Sequence, residues 1–306
     1  MVDSIINFKN NNKKQSKADV MIIGAPYEKT ASSRKGTKDG PKAILAMLDE
    51  KLELFDRTYK VEIPNKVSIG QEVLKGITSL EPLKALFEVT SKCKKILDRG
   101  EFPILLGGEH SMSLGLLSAL AKKLKPKDVT ILTIDAHCDL RDSDADYHDH
   151  PSNLAHSCVF RRAHELGYNL VQVGIRTYSV YEYDYFSDPK NNIKVFEWGM
   201  SAQSGNGNKV PDISEILQSI KTKYIYISID VDGFDPAFMP ATGTPVQGGL
   251  EWWYGMELIE RAIKEKELVG ADIMEVSPIK DSVLTEYGAA QLLYSIIAHK
   301  FRDKLK

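Results

Sequence analysis

Short apolar runs alternate with longer amphipathic stretches from residue 18 to the end of the chain. Each run is bounded by glycine or polar residues, which is typical of strands buried in a sheet. The predicted strands are Asp19–Gly24, Phe102–Leu106, Val129–Asp135, Leu170–Gly174, Ile193–Trp198, Tyr224–Asp232 and Leu268–Val276.

Helical spacing fills most of the intervals, and it predicts helices over Pro41–Leu54, Leu80–Arg99 and Tyr287–Lys304. Strands separated by helix-length segments indicate βαβ units with right-handed crossovers. Since no linker divides the chain, we expect one doubly wound α/β domain over residues 18–306, with a mainly parallel sheet and helices on both faces. Residues 1–17, rich in Asn and Lys, are expected to form a mobile arm.

The charge balance narrows the classes of partner. Forty Lys and Arg residues against 42 Asp and Glu residues give a formal net charge of -2, which predicts binding of neither nucleic acid nor membrane. Cys93, Cys138 and Cys158 form no CxxC pair, so we expect a reducing compartment. We also expect a cytoplasmic protein, because no apolar stretch suits a signal peptide or a membrane span.

Polar clusters follow three of the predicted strands directly. They are Gly107–Ser111, Asp135–Asp139 and Asp230–Pro236. Ligands of open α/β sheets bind in the crevice beyond the carboxyl ends of the strands. The clusters therefore predict the active site at that edge of the sheet.

The spacing inside these clusters favours a metal centre. Asp135 and His137 are two residues apart, as are Asp230 and Asp232, so each pair is expected to share one side of an extended backbone, with Asp139 continuing the alternation. Crowded carboxylates repel one another unless a cation compensates them. Carboxylates with imidazoles suit divalent ions such as Mn²⁺, and the surplus of oxygen ligands favours two ions. Any one Asp here could instead form a turn or helix cap, but three clusters at buried strand ends favour the metal site.

Four segments resemble the ureohydrolase family of arginases and agmatinases, and agmatinases most. They are GGEHS at Gly107–Ser111, DAHCD at Asp135–Asp139, the long segment Ser228–Gly249, and DIMEVSP at Asp272–Pro278. The resemblance runs from about Asp19 to the last helix and implies an arginase-like three-layer α/β/α fold. Two departures are visible, since Glu109 stands where many members have Asp and Ala241 replaces a usual glycine.

The resemblance also implies two manganese ions per subunit and a homo-oligomer, either a trimer or a hexamer. One ion would be held by His110, Asp135, Asp139 and Asp230. The second would be held by Asp135, His137, Asp230 and Asp232, with Asp135 and Asp230 bridging the two ions.

The resemblance implies hydrolysis of a guanidino group to an amine and urea, and two metal ions can activate the water for this reaction near neutral pH. Asp139 is expected to orient the attacking water. His156 aligns with the active-site histidine of the family and is expected to bind substrate and transfer a proton, although a surface histidine capping a helix is the alternative. Glu275 is expected to bind the planar guanidinium by paired hydrogen bonds, the alternative being a partner for a lysine.

The other histidines have weaker signals. His148 and His150 are interpreted as loop residues that line the entrance, and His164 and His299 as structural residues of helices. The segments Leu140–Asp146 and Arg176–Val180 look unlike their arginase counterparts.

Agmatine, cleaved to putrescine and urea, is the predicted substrate, because the acidic stretch Asp142–Asp149 favours a molecule without a carboxylate. Arginase and guanidinobutyrase activities are the nearest alternatives. A two-metal phosphoesterase, with Arg141 and Arg176 as phosphate ligands, and a non-catalytic metal-binding relative are the remaining ones.

Overall fold

The computed structural model describes residues 17–147, 149, 151–199 and 210–306, so the predicted N-terminal arm lies outside the described residues apart from Lys17. The strands are β1 (Val20–Ala25), β2 (Phe55–Asp56), β3 (Val61–Glu62), β4 (Ile69–Val73), β5 (Phe102–Gly107), β6 (Val129–Ile134), β7 (Asn169–Ile175), β8 (Lys194–Glu197), β9 (Tyr224–Asp230) and β10 (Glu267–Met274). The helices are α1 (Gly40–Glu50), α2 (Pro82–Asp98), α3 (Ser113–Leu120), α4 (Val159–Glu165), α5 (Val180–Ser187), α6 (Ile213–Ser219), α7 (Trp252–Glu265), α8 (Leu284–Lys300) and α9 (Arg302–Leu305).

One sheet of eight strands organises the chain, in the order β4-β1-β5-β10-β9-β6-β7-β8. Every neighbouring pair in it is parallel, while β2 and β3 form a separate antiparallel pair. The predicted α/β fold with a parallel sheet is thus confirmed. Among the helices of the described ranges, none is both long and apolar enough to cross a membrane.

Each face of the sheet carries its own apolar core, because successive side chains of a strand point to opposite sides. In β5, Ile104 and Leu106 pack on the face covered by α1, α6, α7 and α8. Leu105, between them, packs on the opposite face with α2, α3 and α4. Burial on both faces explains why the strands read as continuous apolar runs.

The sequence pattern missed one strand of the main sheet and misplaced some ends. β4 lies at the edge, and all of its residues are only half-buried, so Gly, Gln and Glu interrupt the apolar pattern there. α1 ends at Glu50 rather than Leu54, because the chain turns where the amide groups of Lys51 and Leu52 donate to Met47 O. β9 ends at Asp230 rather than Asp232, and a 3-10 turn over Val231–Gly233 follows it.

The four central strands bring the predicted functional segments together. β5, β10, β9 and β6 are consecutive neighbours, and their carboxyl ends lead into Gly107–Ser111, Asp272–Pro278, the turn after β9, and Asp135–Asp139. The backbones there are close. A Cβ added to Gly233 would lie 2.5 Å from Asp135 N and 2.7 Å from Ile134 C, so only glycine lets the turn after β9 lie against the end of β6.

Replacing Gly233 by alanine should push the turn away from Asp135. We expect Gly233→Ala to lower the free energy of unfolding by about 1–3 kcal/mol and to weaken divalent-metal binding, as measured by chemical denaturation and metal titration. Gly243→Ala is the matched control, since its added Cβ would come no closer than 3.3 Å, to Arg34 O. Equal stability and metal affinity in the two variants would contradict this account of the turn.

Candidate metal centre and active-site pocket

His110 lies at the centre of three carboxylates. It begins a 3-10 turn after β5, and its Nδ1 atom is 3.3 Å from Oδ2 of Asp135, Asp139 and Asp230 alike. These side chains come from the ends of three different strands or from the loops after them. The fold therefore brings three carboxylate oxygens, one from each of the three Asp residues, to the same imidazole nitrogen.

A second group of ligand atoms adjoins the first. His137 Nδ1 lies 3.2 Å from Asp232 Oδ2 and 3.7 Å from Asp135 Oδ1. In the group His110, Asp135 and Asp139, and again in the group Asp135, His137 and Asp232, one ligand atom per residue lies within 4.8 Å of the others. Asp135 is common to both groups, so its two oxygens can serve two ions.

The hydrogen bonding of this cluster fits bound cations. His110 Nδ1 and Asp135 Oδ2 are buried and have no hydrogen-bond partner within the described part of the chain, although buried polar atoms are normally satisfied. A divalent ion would satisfy both atoms. The donor set, carboxylates with imidazoles and no thiolate, suits Mn²⁺.

The electrostatics of the cluster point the same way. Burial, and then the charge of Asp135, raises the pKa of Asp139 to about 7. Burial together with the Asp232 and Asp135 charges raises the pKa of Asp230 well above its ordinary value. Ionising all of these carboxylates in one buried place is costly, and cations between them remove that cost.

A chain of hydrogen bonds behind the cluster orients His110. His110 Nε2 lies 2.9 Å from Ser228 Oγ, and Ser228 Oγ donates to Asp272 Oδ1 at 2.6 Å. Tyr226 also donates to Asp272. Because Ser228 donates its hydroxyl proton to Asp272, its oxygen accepts the N–H of His110 Nε2. The lone pair of His110 Nδ1 then faces the carboxylates, as a metal ligand requires.

The sequence did not reveal the roles of Tyr226, Ser228 and Asp272, although a signal exists. Tyr226, Ser228 and Asp230 alternate along β9 and so share one face, and Asp272 is the register partner of Ser228. Strand pairing, which the sequence alone did not supply, was needed to connect them.

Asp139 does not continue the alternation of Asp135 and His137, and that prediction is wrong. β6 ends at Ile134, and Asp139 has a left-handed backbone with φ 52°. Likewise Asp230 and Asp232 converge through a 3-10 turn, in which Asp232 N donates to Asp230 Oδ1 at 3.0 Å. Turns after the strands, rather than pleated strands, direct these side chains inward.

A cavity of about 340 Å³ opens beside the cluster, and its lining includes His137, Asp139 and Asp230 together with the predicted His156 and Glu275. Glu275, like Asp139, has a left-handed backbone, with φ 63°. Residues other than glycine are uncommon in this conformation and concentrate at functional sites. The structure thus brings the predicted metal-binding residues, His156 and Glu275 to one pocket or to the ligand cluster beside it.

Glu275 and His156 lie next to each other in the lining of this pocket. Glu275 Oε1 accepts the His110 backbone N–H at 2.7 Å and lies 3.7 Å from His156 Nδ1. Burial, and next the charge of Glu109, raises the pKa of Glu275 to about 8. A cation in the pocket would stabilise the ionised carboxylate.

The pocket lining also contains Glu182, which the sequence did not single out, together with Arg141 and Tyr147. Glu182 is buried and forms a capping box with Ser179 at the start of α5, and its Oε1 accepts Leu140 N at 3.1 Å. Arg141 Nη1 is 2.5 Å from Asp146 Oδ2, and its guanidinium carbon lies 4.5 Å from the centre of the Tyr147 ring. The S-x-x-E spacing from Ser179 to Glu182 was the available signal.

The remaining predicted residues have structural surroundings or lie outside the description. His164 contacts the Tyr185 hydroxyl at 2.6 Å and Asn191 O at 2.9 Å, and His299 contacts the Tyr59 hydroxyl at 3.0 Å, in agreement with structural roles. His148 and His150 lie outside the described residues. Cys93, Cys138 and Cys158 are free and buried.

Comparison with known proteins extends the likeness over the whole fold. The sequence model of the arginase family matches residues 18–299. An N(1)-aminopropylagmatine ureohydrolase of Synechocystis is 33% identical over 92% of this chain and 89% of its own length. An agmatinase of Pyrococcus horikoshii is 34% identical over 93% of each chain.

The solved structures include the agmatine ureohydrolase of Thermoplasma volcanium, with a TM-score of 0.76 and 32% identity over 94% of this chain and 91% of that one. The family match spans nearly every described strand and helix. It includes the four segments that meet at the carboxyl edge of the sheet. The chain therefore belongs to the arginase family.

Proposed function

We propose that this protein is a manganese-dependent hydrolase that cleaves a guanidino compound to an amine and urea, with agmatine as its preferred substrate and putrescine as the amine. One observation carries the proposal: the paired carboxylate–imidazole cluster lies beside a pocket that also contains His156 and Glu275. Membership of the arginase family supports the same reaction class. Putrescine production would place the enzyme in polyamine biosynthesis.

Two ions are proposed, with Asp135 and Asp230 shared between them. His110 and Asp139 complete the first set of ligands, and His137 and Asp232 complete the second. When bound, such a pair of cations supplies Lewis-acid activation of water near neutral pH. The unsatisfied His110 Nδ1 and Asp135 Oδ2 support this assignment.

Glu275 is proposed to hold the guanidinium. Its Oε1 is anchored by the His110 N–H at 2.7 Å, so the position of the carboxylate relative to the cluster is fixed. Its second oxygen is then available to accept an N–H of the substrate, and a planar guanidinium suits such a carboxylate. In this proposal the guanidino carbon would lie next to Asp139, which is proposed to orient the attacking water by accepting a hydrogen bond.

His156 is proposed to deliver the proton that the leaving amine needs. Its Nδ1 is 3.7 Å from Glu275 Oε1, so the imidazole lies beside the group that holds the substrate nitrogens. Its side chain is only 15% exposed, which limits competing proton exchange with bulk water. An imidazole is suited to this transfer because it exchanges protons near neutral pH.

The wall of the pocket that contains Arg141, Tyr147 and Glu182 supports a substrate tail that ends in an ammonium group. The Arg141 charge is balanced by Asp146, and the buried Glu182 carboxylate lies 3.8 Å from Arg141 Nε. The wall therefore offers no free cation, within the described residues, to bind a substrate carboxylate. This arrangement favours agmatine over arginine or 4-guanidinobutyrate.

A longer polyamine, N1-aminopropylagmatine, is the second candidate substrate. A further cavity of about 540 Å³ adjoins the pocket at Arg141 and is lined by several carboxylates, Asp142 and Asp184 among them. The name of the Synechocystis relative favours the same compound. The extra amines of such a substrate would extend from the pocket towards these carboxylates.

The arginines that a phosphoesterase would need are engaged elsewhere. Arg176 Nη2 donates to Asp232 O at 2.6 Å and to Val246 O at 2.7 Å, so its guanidinium ties loops together. With Arg141 paired to Asp146, the structure disfavours the phosphoesterase alternative.

We also propose that the protein forms a homo-oligomer, either a trimer or a hexamer, and that it is cytoplasmic.

Urea release tests the substrate directly. Metal-free protein reconstituted with Mn²⁺ should release urea, with kcat/KM highest for agmatine among agmatine, N1-aminopropylagmatine, arginine and 4-guanidinobutyrate. A higher kcat/KM for one of the other three compounds would support the proposed reaction but refute agmatine as the preferred substrate. No urea from any guanidino compound, with manganese demonstrably bound, would refute the proposed function.

Substitution of the proposed proton donor and of a proposed metal ligand should have different effects. His156→Ala should keep both manganese ions and lower kcat by about 10²- to 10⁴-fold, the usual contribution of a general acid or base. Asp232→Ala should bind the second manganese ion more weakly than the first, because Asp232 is a proposed ligand of the second ion only. Metal analysis alongside steady-state kinetics separates these effects.

His164→Ala serves as the control for His156→Ala, since His164 lies in α4 and bonds to Tyr185 and Asn191. The folded His164→Ala variant should have a kcat near that of the parent protein. A His156→Ala variant that loses manganese while keeping its activity per bound ion would invalidate the proposed roles.

A further inference from the structure

The loop that follows β1 contacts His156 at two points, although the two segments are more than a hundred residues apart in sequence. The His156 backbone N–H donates to Thr30 Oγ1 at 3.1 Å. The His156 Nε2 atom lies 3.1 Å from Ser32 Oγ. One contact fixes the backbone of the histidine, and the other reaches its ring.

Thr30 is itself anchored on a buried carboxylate. Its N–H donates to Glu109 Oε2 at 2.7 Å, and its hydroxyl donates to Glu109 Oε1. Ser111 Oγ donates to the same Oε1 at 2.5 Å, and Glu109 is fully buried. The first end of the loop is therefore joined to the segment that carries His110.

The loop is also fixed beyond Ser32. Arg34 Nη2 donates to Ser277 O at 2.7 Å, next to the segment that carries Glu275. The Gly36 N–H donates to the buried Glu28 at 2.7 Å. Ser32 thus lies between two anchored points, so its hydroxyl has a defined position over the pocket.

The chemistry of a hydroxyl suits a partner for a histidine that gains and loses a proton. A serine hydroxyl can donate to a neutral Nε2 and can accept from a protonated Nε2. The contact therefore persists in both states without movement of the ring. At 3.7 Å, the distance from Nδ1 to Glu275 Oε1 is too long for a hydrogen bond, whereas the 3.1 Å contact of Nε2 with Ser32 Oγ is within hydrogen-bond range.

We infer that Ser32 is a positioning residue for the reaction: its hydroxyl holds the His156 imidazole by Nε2 and directs Nδ1 towards Glu275 and the substrate nitrogens. This inference rests on the proposed function and adds a residue to the same site. Ser32 acts through His156, so its removal affects proton transfer rather than substrate binding.

Kinetics of the full-length, manganese-loaded protein test this role. Ser32→Ala should lower kcat for agmatine about 10- to 100-fold, as expected for the loss of one hydrogen bond to a charged group. KM should stay within about two-fold and manganese content unchanged, because Ser32 binds neither substrate nor metal in this scheme. Ser32→Thr, which keeps the hydroxyl, should restore most of kcat.

Ser33→Ala is the matched control. Ser33 lines the same pocket and makes no side-chain hydrogen bond to the residues that the structure describes, so its kcat should stay near that of the parent. An unchanged kcat in Ser32→Ala would overturn the inference. A raised KM with an unchanged kcat in Ser32→Ala would contradict it too and assign Ser32 to substrate binding. Loss of manganese from Ser32→Ala that Ser32→Thr does not restore would contradict it as well and assign Ser32 to folding.

A second measurement does not depend on turnover and so separates this inference from the proposed function. Diethyl pyrocarbonate modifies accessible imidazole nitrogens, and peptide mass spectrometry reports the rate at His156. Release of Nε2 should raise that rate in Ser32→Ala and leave it unchanged in Ser33→Ala. Equal rates in the two variants would overturn the positioning role even if the parent protein proved inactive on guanidino compounds.

Discussion

The mutual repulsion of buried carboxylates is the constraint on which the rest of the structure depends. Asp135, Asp139, Asp230 and Asp232 lie together at the ends of central strands, almost fully buried, where isolated charges are strongly disfavoured. Burial and this crowding raise the pKa values of Asp139 and Asp230. Divalent cations would resolve this conflict, and in the proposed function the same cations would make the site chemically competent.

The fold supplies the positions that such a centre needs. Parallel strands end at one edge, and the order β5-β10-β9-β6 makes neighbours of segments that are far apart in sequence. Short turns then direct the ligands inward, with a left-handed backbone at Asp139 and Glu275. The loop after β1 closes the arrangement, because Thr30 and Ser32 join it to His156. The residues proposed for substrate binding, proton transfer and metal binding thus share one continuous hydrogen-bonded framework.

Much of this could be predicted from the sequence, because strands buried on both faces give continuous apolar runs and the polar clusters end them. The interior strands were located to within one or two residues for this reason. The edge strand Ile69–Val73 was missed because it is only half-buried. The Asp272–Ser228–His110 chain depends on strand register, and the contact of Ser32 with His156 depends on loop packing. Neither leaves a periodic signal in the sequence.

Electron paramagnetic resonance of the metal-free protein titrated with Mn²⁺ tests the central claim most directly, since the claim is that Asp135 and Asp230 are shared by two ions. At two equivalents per chain, shared carboxylates should give the broad multiline spectrum of an exchange-coupled pair, and free Mn²⁺ should appear only beyond that ratio. Two independent six-line signals, or saturation at one equivalent, would contradict the account.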